Sequence, residues 1–455
     1  MRLKNNPHES QIVEIWRRLL INRAELITAD GEPIKIIYPG RINDDRGADF
    51  RDVVIATSRG LLKGDIEIHV KSSDWQAHRH HHDPAYNRVV LHVVMQNDAK
   101  ATTKLQNGKD TPTLALDEFT NSDTGQQAST SLTMPCLRAK DRFTPSVIGE
   151  FLDAVGEERF FAKAAEFQRE LAQTQASQTL YQGIMGALGY AKNKIPMLNL
   201  AHRLPLQILE FIAQSKIPDE ECLARQQALL LGTAGLLPSQ RPNRRQEPYD
   251  EWTGKLERLW SSSYQTNAMS CDAWHLFKVR PNNFPTHRIA AISYLILHYR
   301  EKGILAEIIN KIKEVPWEKG YRQLETELLV TAKGYWASHL DFGRGNQAKG
   351  STLLGKARAA DIIVNVVLPF ALAWSRHTSQ PELGNKAIGL YRRYPRLAVN
   401  AVERHMCRQL GLSSSLVNSA RRQQGLLHIY NTLCTQGRCH SCRLSQLEAG
   451  HHIQI

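Results

Sequence analysis

Acid, acid, imidazole and amine alternate along GDIEIHVK, residues 64–71. Successive side chains of an extended strand point to opposite faces, so Asp65, Glu67, His69 and Lys71 share one side and Ile66, Ile68 and Val70 the other. Burying such a polar row is costly unless a cation compensates it, and a divalent metal ion would do so. A further carboxylate, Asp49, stands just ahead of a second predicted strand at 52–56. The alternative reading puts these acids on a solvated sheet edge, paired with Lys63, Lys71 or Arg46.

Three other clusters carry possible chemistry. The run His78-Arg79-His80-His81-His82-Asp83 has the donors for a borderline metal such as zinc, nickel or iron, and equally suits a solvated, phosphate-facing loop. His92, on a predicted strand, reads as a hydrogen-bonded core histidine. Near the C-terminus, Cys407, Cys434, Cys439 and Cys442 are spaced C-x26-C-x4-C-x2-C. Four thiolates can close a zinc site or an iron–sulfur cluster, with His405 or His440 as substitutes for Cys407, and unliganded thiols are the other reading. Between Tyr391 and Arg443 there are nine arginines, no lysine and one acid, Glu403. Arginine pairs bidentately with phosphate and releases condensed counterions. Arg392, Arg393, Arg421, Arg422 and Arg438 are therefore candidate nucleic-acid contacts, against the plainer reading of a solvated basic face.

The elements that must position these residues fall into two regions. Residues 10–27 place Ile12, Ile15, Trp16 and Leu19 at helical spacing, with Ser10 as N-cap. Short β-type runs follow at 34–38, 52–56, 64–70 and 87–95, separated by Gly, Asn and Asp clusters, and predict one mixed sheet. Residues 99–133 are polar and read as a strand-poor excursion. Beyond Pro145 helical patterns succeed one another, among them 146–174, 202–214, 285–302, 322–338, 358–375, 397–411 and 413–433, without a self-similar period. The predicted division is an α/β domain over 1–140 and an α-helical domain over 141–455 that ends in the Cys-rich, Arg-rich region.

A chain of 455 residues with 42% hydrophobic and 23% charged content excludes a small disulfide scaffold and a disordered chain. Its net charge of +13 makes an anionic partner plausible. Residues 1–21 carry acids in their apolar positions and lack a small-residue cleavage site. The most apolar stretch, 359–374, is interrupted by Asp361, Asn365 and Pro369 and reads as a buried helix. Cytoplasmic location with reduced thiols is the expectation.

The pattern of Gly-Ala-Asp-Phe, with Asp49, followed by Glu67-Ile68-His69 on a neighbouring strand resembles the restriction-endonuclease-like PD-(D/E)XK nuclease superfamily. The usual lysine position is held here by His69, with Lys71 further along the same face. The resemblance implies a restriction-endonuclease-like fold and metal-assisted phosphodiester hydrolysis. In it Asp49, Glu67 and the main-chain carbonyl of Ile68 would hold Mg²⁺ or Mn²⁺, Glu14 of the opening helix would add an acid, and His69 or Lys71 would position water or stabilise charge. Some relatives of that fold also carry a cluster held by a remote cysteine and a tight C-terminal trio. Six dispersed phrases (GADFRDVVI, GDIEIHVKSSDW, DPAYNRVVLHVV, RPNNFPTHRIAA, LLGKARAADIIVNVVLPF and ARRQQGLLHIYNTLC) are similar to a bacterial family, domain of unknown function 2851, which implies no activity of its own. The expected function is thus metal-dependent nucleic-acid cleavage or processing. Its rivals are a non-catalytic nucleic-acid-binding or scaffold protein on a degenerate nuclease fold, and a histidine-based metallohydrolase for a small substrate.

Overall fold

The computed structural model describes residues 9–22, 26–99, 102–117, 135–242, 250–262, 268–280, 283–345 and 352–446. Part of the polar excursion, residues 100–101 and 118–134, lies outside them. The chain divides into two compact units, the first comprising Met1–Val155, Val399–Val417 and Gly425–Ile455, the second Gly156–Ala398 and Asn418–Gln424. The boundary expected near residue 140 therefore falls inside the first unit. The cysteine-bearing C-terminal region, expected with the helical domain, belongs with the sheet.

In the first unit, helix α1 (Glu9–Asn22) precedes a mixed sheet built from β1 (Leu26–Ile27), β2 (Pro33–Tyr38), β3 (Arg41–Ile42), β4 (Phe50–Thr57) and β5 (Gly60–Lys71). A short helix, α2 (Asp74–Ala77), and two 3₁₀ turns lead into β6 (Val89–Gln96). A small antiparallel hairpin, β7 (Thr103–Lys104) and β8 (Asp110–Thr111), then leads to β9 (Thr113–Ala115). The main sheet has the order β1-β2-β4-β5-β6-β9, with β3 beside β4. Pairing is antiparallel as far as β5 and parallel from β5 to β6 and from β6 to β9.

Strand β5 is thus internal, which rules out the solvated-edge reading of its acids. Its two faces separate as side-chain alternation requires. Ile66 and Ile68 pack with Phe50, Val53, Leu91 and Val93 and with Ile12 and Trp16 of α1. Asp65, Glu67 and His69 occupy the other face and are also buried. Between Phe50 and Val53 the β4–β5 register shifts, and Asp52 there adopts a left-handed φ of 63°. Such a bulge re-aims side chains, and bulges concentrate next to functional sites. The Asp52 N–H donates to Asp65 Oδ1 and its carboxylate accepts from the Tyr430 hydroxyl at 2.6 Å. A separate core of Tyr38, Val54, Phe151, Leu152, Met406, Leu410, Leu426 and Ile429 seats the helix Ala401–Leu410 and the part of the helix Ala420–Thr432 from Gly425 onward in this unit.

The second unit is helical around one large apolar core. The helix expected at 202–214 starts only after Pro205, as Leu206–Ala213, and residues 202–203 end a separate helix, Lys194–Arg203. The pattern at 322–338 is helical only over Tyr321–Glu327 and then gives way to a short strand and a 3₁₀ turn. The helical run Lys356–His377 is long and apolar enough to cross a membrane and is mostly buried within the fold. It contains a π turn at Ile363–Val367 just ahead of Pro369, where a ring nitrogen without a proton interrupts the α ladder.

Candidate metal centre

Asp49 and Glu67 are locked together by reciprocal main-chain bonds. The Asp49 N–H donates to Glu67 Oε2 at 3.1 Å, and the Ile68 N–H donates to Asp49 Oδ2 at 2.9 Å. Each carboxylate thus accepts from the backbone at or next to the other residue. Burial pushes Asp49 up to about 7, helped by the charge of Glu67 and opposed by the Ile68 N–H. It pushes Glu67 up to about 8, opposed by the Asp49 N–H. Both acids are thereby destabilised as anions, the state that a cation relieves.

On α1 the charge of Glu9 raises both Asp49 and Glu67. Glu14, the position drawn from the nuclease resemblance, is exposed and lies five residues further along the helix.

Imidazoles fill the remaining space. His69 Nε2 lies 3.6 Å and His80 Nε2 3.3 Å from Glu67 Oε1. His78 Nδ1 is 3.2 Å from His69 Nε2, and donor atoms of His69, His78 and His80 all fall within 4.8 Å of one another. The His69 and His80 rings stack at 5.2 Å, and His80 also rests on Tyr86 and Trp75. Of the histidine run, therefore, His78 and His80 reach His69, His78 from an exposed position, while His81 and His82 pack against each other. The left-handed conformation of Arg79, φ 60°, lies between these two residues.

Behind His69 runs a buried relay. His69 Nδ1 lies 2.9 Å from His92 Nε2, His92 Nδ1 lies 2.8 Å from Thr103 Oγ1, and Thr103 Oγ1 lies 3.1 Å from Thr113 Oγ1. His92 is the hydrogen-bonded core histidine its strand position predicts. Burial, and then the neighbouring imidazoles, lower His69 to about 2 and His92 to about 3, so both rings are neutral near pH 7. Such a relay fixes tautomer and ring orientation and leaves His69 Nε2 facing the carboxyl. This mixed set of carboxylate oxygens and neutral imidazole nitrogens suits a transition metal better than the all-oxygen preference of Mg²⁺.

The other predicted residues fall elsewhere. Lys71 is exposed at the end of β5, and its N–H donates to Asp74 Oδ2. Arg392 and Arg421 both grip Glu157 within the second unit, at 2.8 Å and 2.6 Å. Arg393 lies over the Trp317 ring, Arg422 belongs to the same unit, and Arg438 is exposed in the first. Cys434, Cys439 and Cys442 line one small cavity with Cys136, a residue the sequence reading passed over; Cys407 is not part of that lining.

No curated protein and no solved structure matches the chain. Residues 9–397, which hold every acid and imidazole of this centre and end before Cys407, match the family described as Protein of unknown function (DUF2851). The chain belongs to that family.

Proposed function

We propose that this protein is a metal-dependent hydrolase of nucleic-acid phosphodiester bonds, with Glu67, Asp49, His69, His78 and His80 as the metal-binding set. The observation that carries the reading is the convergence of His69 and His80 on the same Glu67 oxygen, beside an Asp49 held to Glu67 through the backbone. Asp49 directly ahead of β4 and Glu-x-His on the adjoining β5 also occupy the acid positions of the PD-(D/E)XK pattern, which supports the same reading.

A bound divalent ion would supply an activated water and neutralise charge on the phosphate. Of the ions expected from sequence, Mn²⁺ fits the mixed donors better than Mg²⁺. The chain's own residues do the rest. Glu67 and Asp49 offer oxygens, the relay through His92 orients His69, and His80, only 12% exposed, is held against Glu67 by Tyr86 and Trp75. Arg46 and Arg88 are more than half exposed and touch Asp83 and Asp52, around the same loops, where they can meet backbone phosphates.

The imidazole-rich donor set favours a second reading, a small-substrate phosphodiesterase. Purified chain is incubated with single- and double-stranded DNA and RNA, and with a small phosphodiester, in the presence of Mg²⁺, Mn²⁺ or Zn²⁺, beside Glu67→Ala, Asp49→Ala and His80→Ala. Metal-dependent polymer cleavage that the three substitutions abolish is the expected result. Cleavage of the small diester alone selects the second reading. Nucleic-acid binding without cleavage under any metal leaves a non-catalytic adaptor.

A further inference from the structure

The C-terminal trio acquires a fourth thiol from a distant part of the chain. Cys434 and Cys439 open two successive 3₁₀ turns, Cys434–Gln436 and Cys439–Ser441, and Cys442 directly follows the second. Gly437 between them adopts φ 68°, and a Cβ there would press to 2.9 Å of Val54 Cγ1, so this turn both needs and has room only for glycine. Cys136 comes from the 3₁₀ turn Pro135–Arg138, nearly three hundred residues earlier. These four residues line one cavity with Met406, Leu410, Ile429 and Leu444. Gln409 donates from Nε2 toward both Cys136 Sγ, at 3.5 Å, and Cys434 Sγ, at 4.0 Å.

All four cysteines are free of disulfides, and Cys136, Cys434 and Cys442 are buried. Four convergent sulfurs in an apolar pocket gain little from staying apart as thiols, whereas a thiophilic cation converts them to thiolates.

The spacing separates two candidate occupants. A tetrahedral zinc, with Zn–S of about 2.3 Å, holds its sulfurs about 3.8 Å apart. Among the described residues the donors that gather three together within 4.8 Å are the histidines of the other centre, and no three of these sulfurs do so. Sulfide-bridged irons fill such a wider gap.

We propose that Cys136, Cys434, Cys439 and Cys442 ligate an iron–sulfur cluster that fastens the C-terminal segment to the sheet-bearing unit. Cys407 is not a ligand. This assignment is independent of the hydrolase reading, because it rests on other residues and is tested without an activity assay.

The full chain is purified anaerobically as wild type, Cys136→Ser, Cys442→Ser and Cys407→Ser, and analysed for iron, acid-labile sulfide, zinc and visible absorption. Iron, sulfide and broad visible absorption are expected in wild type and Cys407→Ser, with most of each lost from the other two. Colourless wild type, with one zinc per chain or with no metal, overturns the cluster. Iron retained in Cys136→Ser and lost from Cys407→Ser overturns the ligand set. Should Cys136→Ser fail to fold, alkylation of the wild-type protein before and after iron removal decides the point. Cys136, Cys434, Cys439 and Cys442 should become reactive together while Cys271 is unchanged, and an unresponsive Cys136 sinks the proposal.

Discussion

Glu67 and Cys434 lie in the same compact unit and are equally buried, each about 6% exposed, yet the walls around them are opposites. Glu67 sits on a sheet face surrounded by hydrogen-bonding groups: a backbone N–H, two imidazole nitrogens and, through His69, a relay ending at Thr113. Cys434 sits among Met406, Ile429 and Leu433, with Gln409 as its polar neighbour. A polar wall holds donors in fixed orientations and can exchange protons and water with a substrate. An apolar wall makes a closed site whose contribution is to hold distant segments together. Burial alone therefore does not distinguish a reacting centre from a fastening one; the chemistry of the second layer does.

The sharpest way to break this contrast is to remove donors from the polar wall and read both centres. Glu67→Ala should lower metal-dependent hydrolysis by roughly 10²–10⁴-fold while leaving iron content and visible absorption unchanged. Were the substitution to bleach the protein as well, the two centres would be one coupled system. His92→Leu tests the second layer. It touches no predicted ligand atom except through His69, and loss of such an outer partner costs about 10–100-fold in metal affinity. Mn²⁺ titration is the readout; a drop in thermal stability with unchanged Mn²⁺ affinity would reduce His92 to packing.

How much of this was legible beforehand differs between the same two regions. The faces of β5 followed from strict alternation, and the meeting of Asp49 with Glu67 followed from placing an acid at the start of the adjoining strand. The approach of His78 and His80 to His69 was not legible, because it depends on the left-handed Arg79 and no periodicity marks that. Glu9 was passed over for Glu14. Positions five apart on a helix differ by about 140° in direction, so the choice depended on how α1 lies on the sheet. Cys136 gave no local signal, since its partners are contributed by the far end of the chain. The arginines misled in another way. Their density was correctly read, but Arg392 and Arg421 share Glu157, and charge counting does not see an internal partner. Helix Ile304–Glu314 is clearly amphipathic, with Ile304, Ile308, Ile309 and Ile312 buried, and was simply left unassigned.

Stability against pH sharpens the contrast at a smaller scale. Glu67 titrates near 8 in the folded chain and near 4.5 in its unperturbed state, so the folded form keeps its proton longer. An acid raised in this way stabilises the fold while protonated, and that contribution is lost as pH climbs through the folded value. His69 and His92 are shifted the other way, and their effect is complete above their ordinary value of 6.5. Between about pH 6.5 and 8 the carboxyls act without them. Metal-free Glu67→Gln should therefore gain on wild type over that window, by roughly a few degrees in Tm, and Mn²⁺ should cancel the gain by restoring the wild type. Equal pH dependence of the two proteins would remove the case for a strained carboxyl.

The smallest expected effect tests whether, in the proposed nuclease reading, Lys71 takes the role of the usual lysine. Lys71 shares the face of Glu67 and His69 by strand parity, but it is exposed at the end of β5, two residues past His69, where the strand gives way to the turn leading to α2. The positions beside Glu67 are taken by His69 and His80. An exposed ammonium at that remove is screened by water and worth little to a charge developing at the metal. Lys71→Ala should then change kcat by no more than about threefold, within the range of a surface substitution, and shift KM for nucleic acid slightly upward with a weaker salt dependence. A loss of 10²-fold or more in kcat would instead mean that Lys71 reaches the reacting phosphate, and that the imidazoles, for all their proximity to Glu67, only hold the ion.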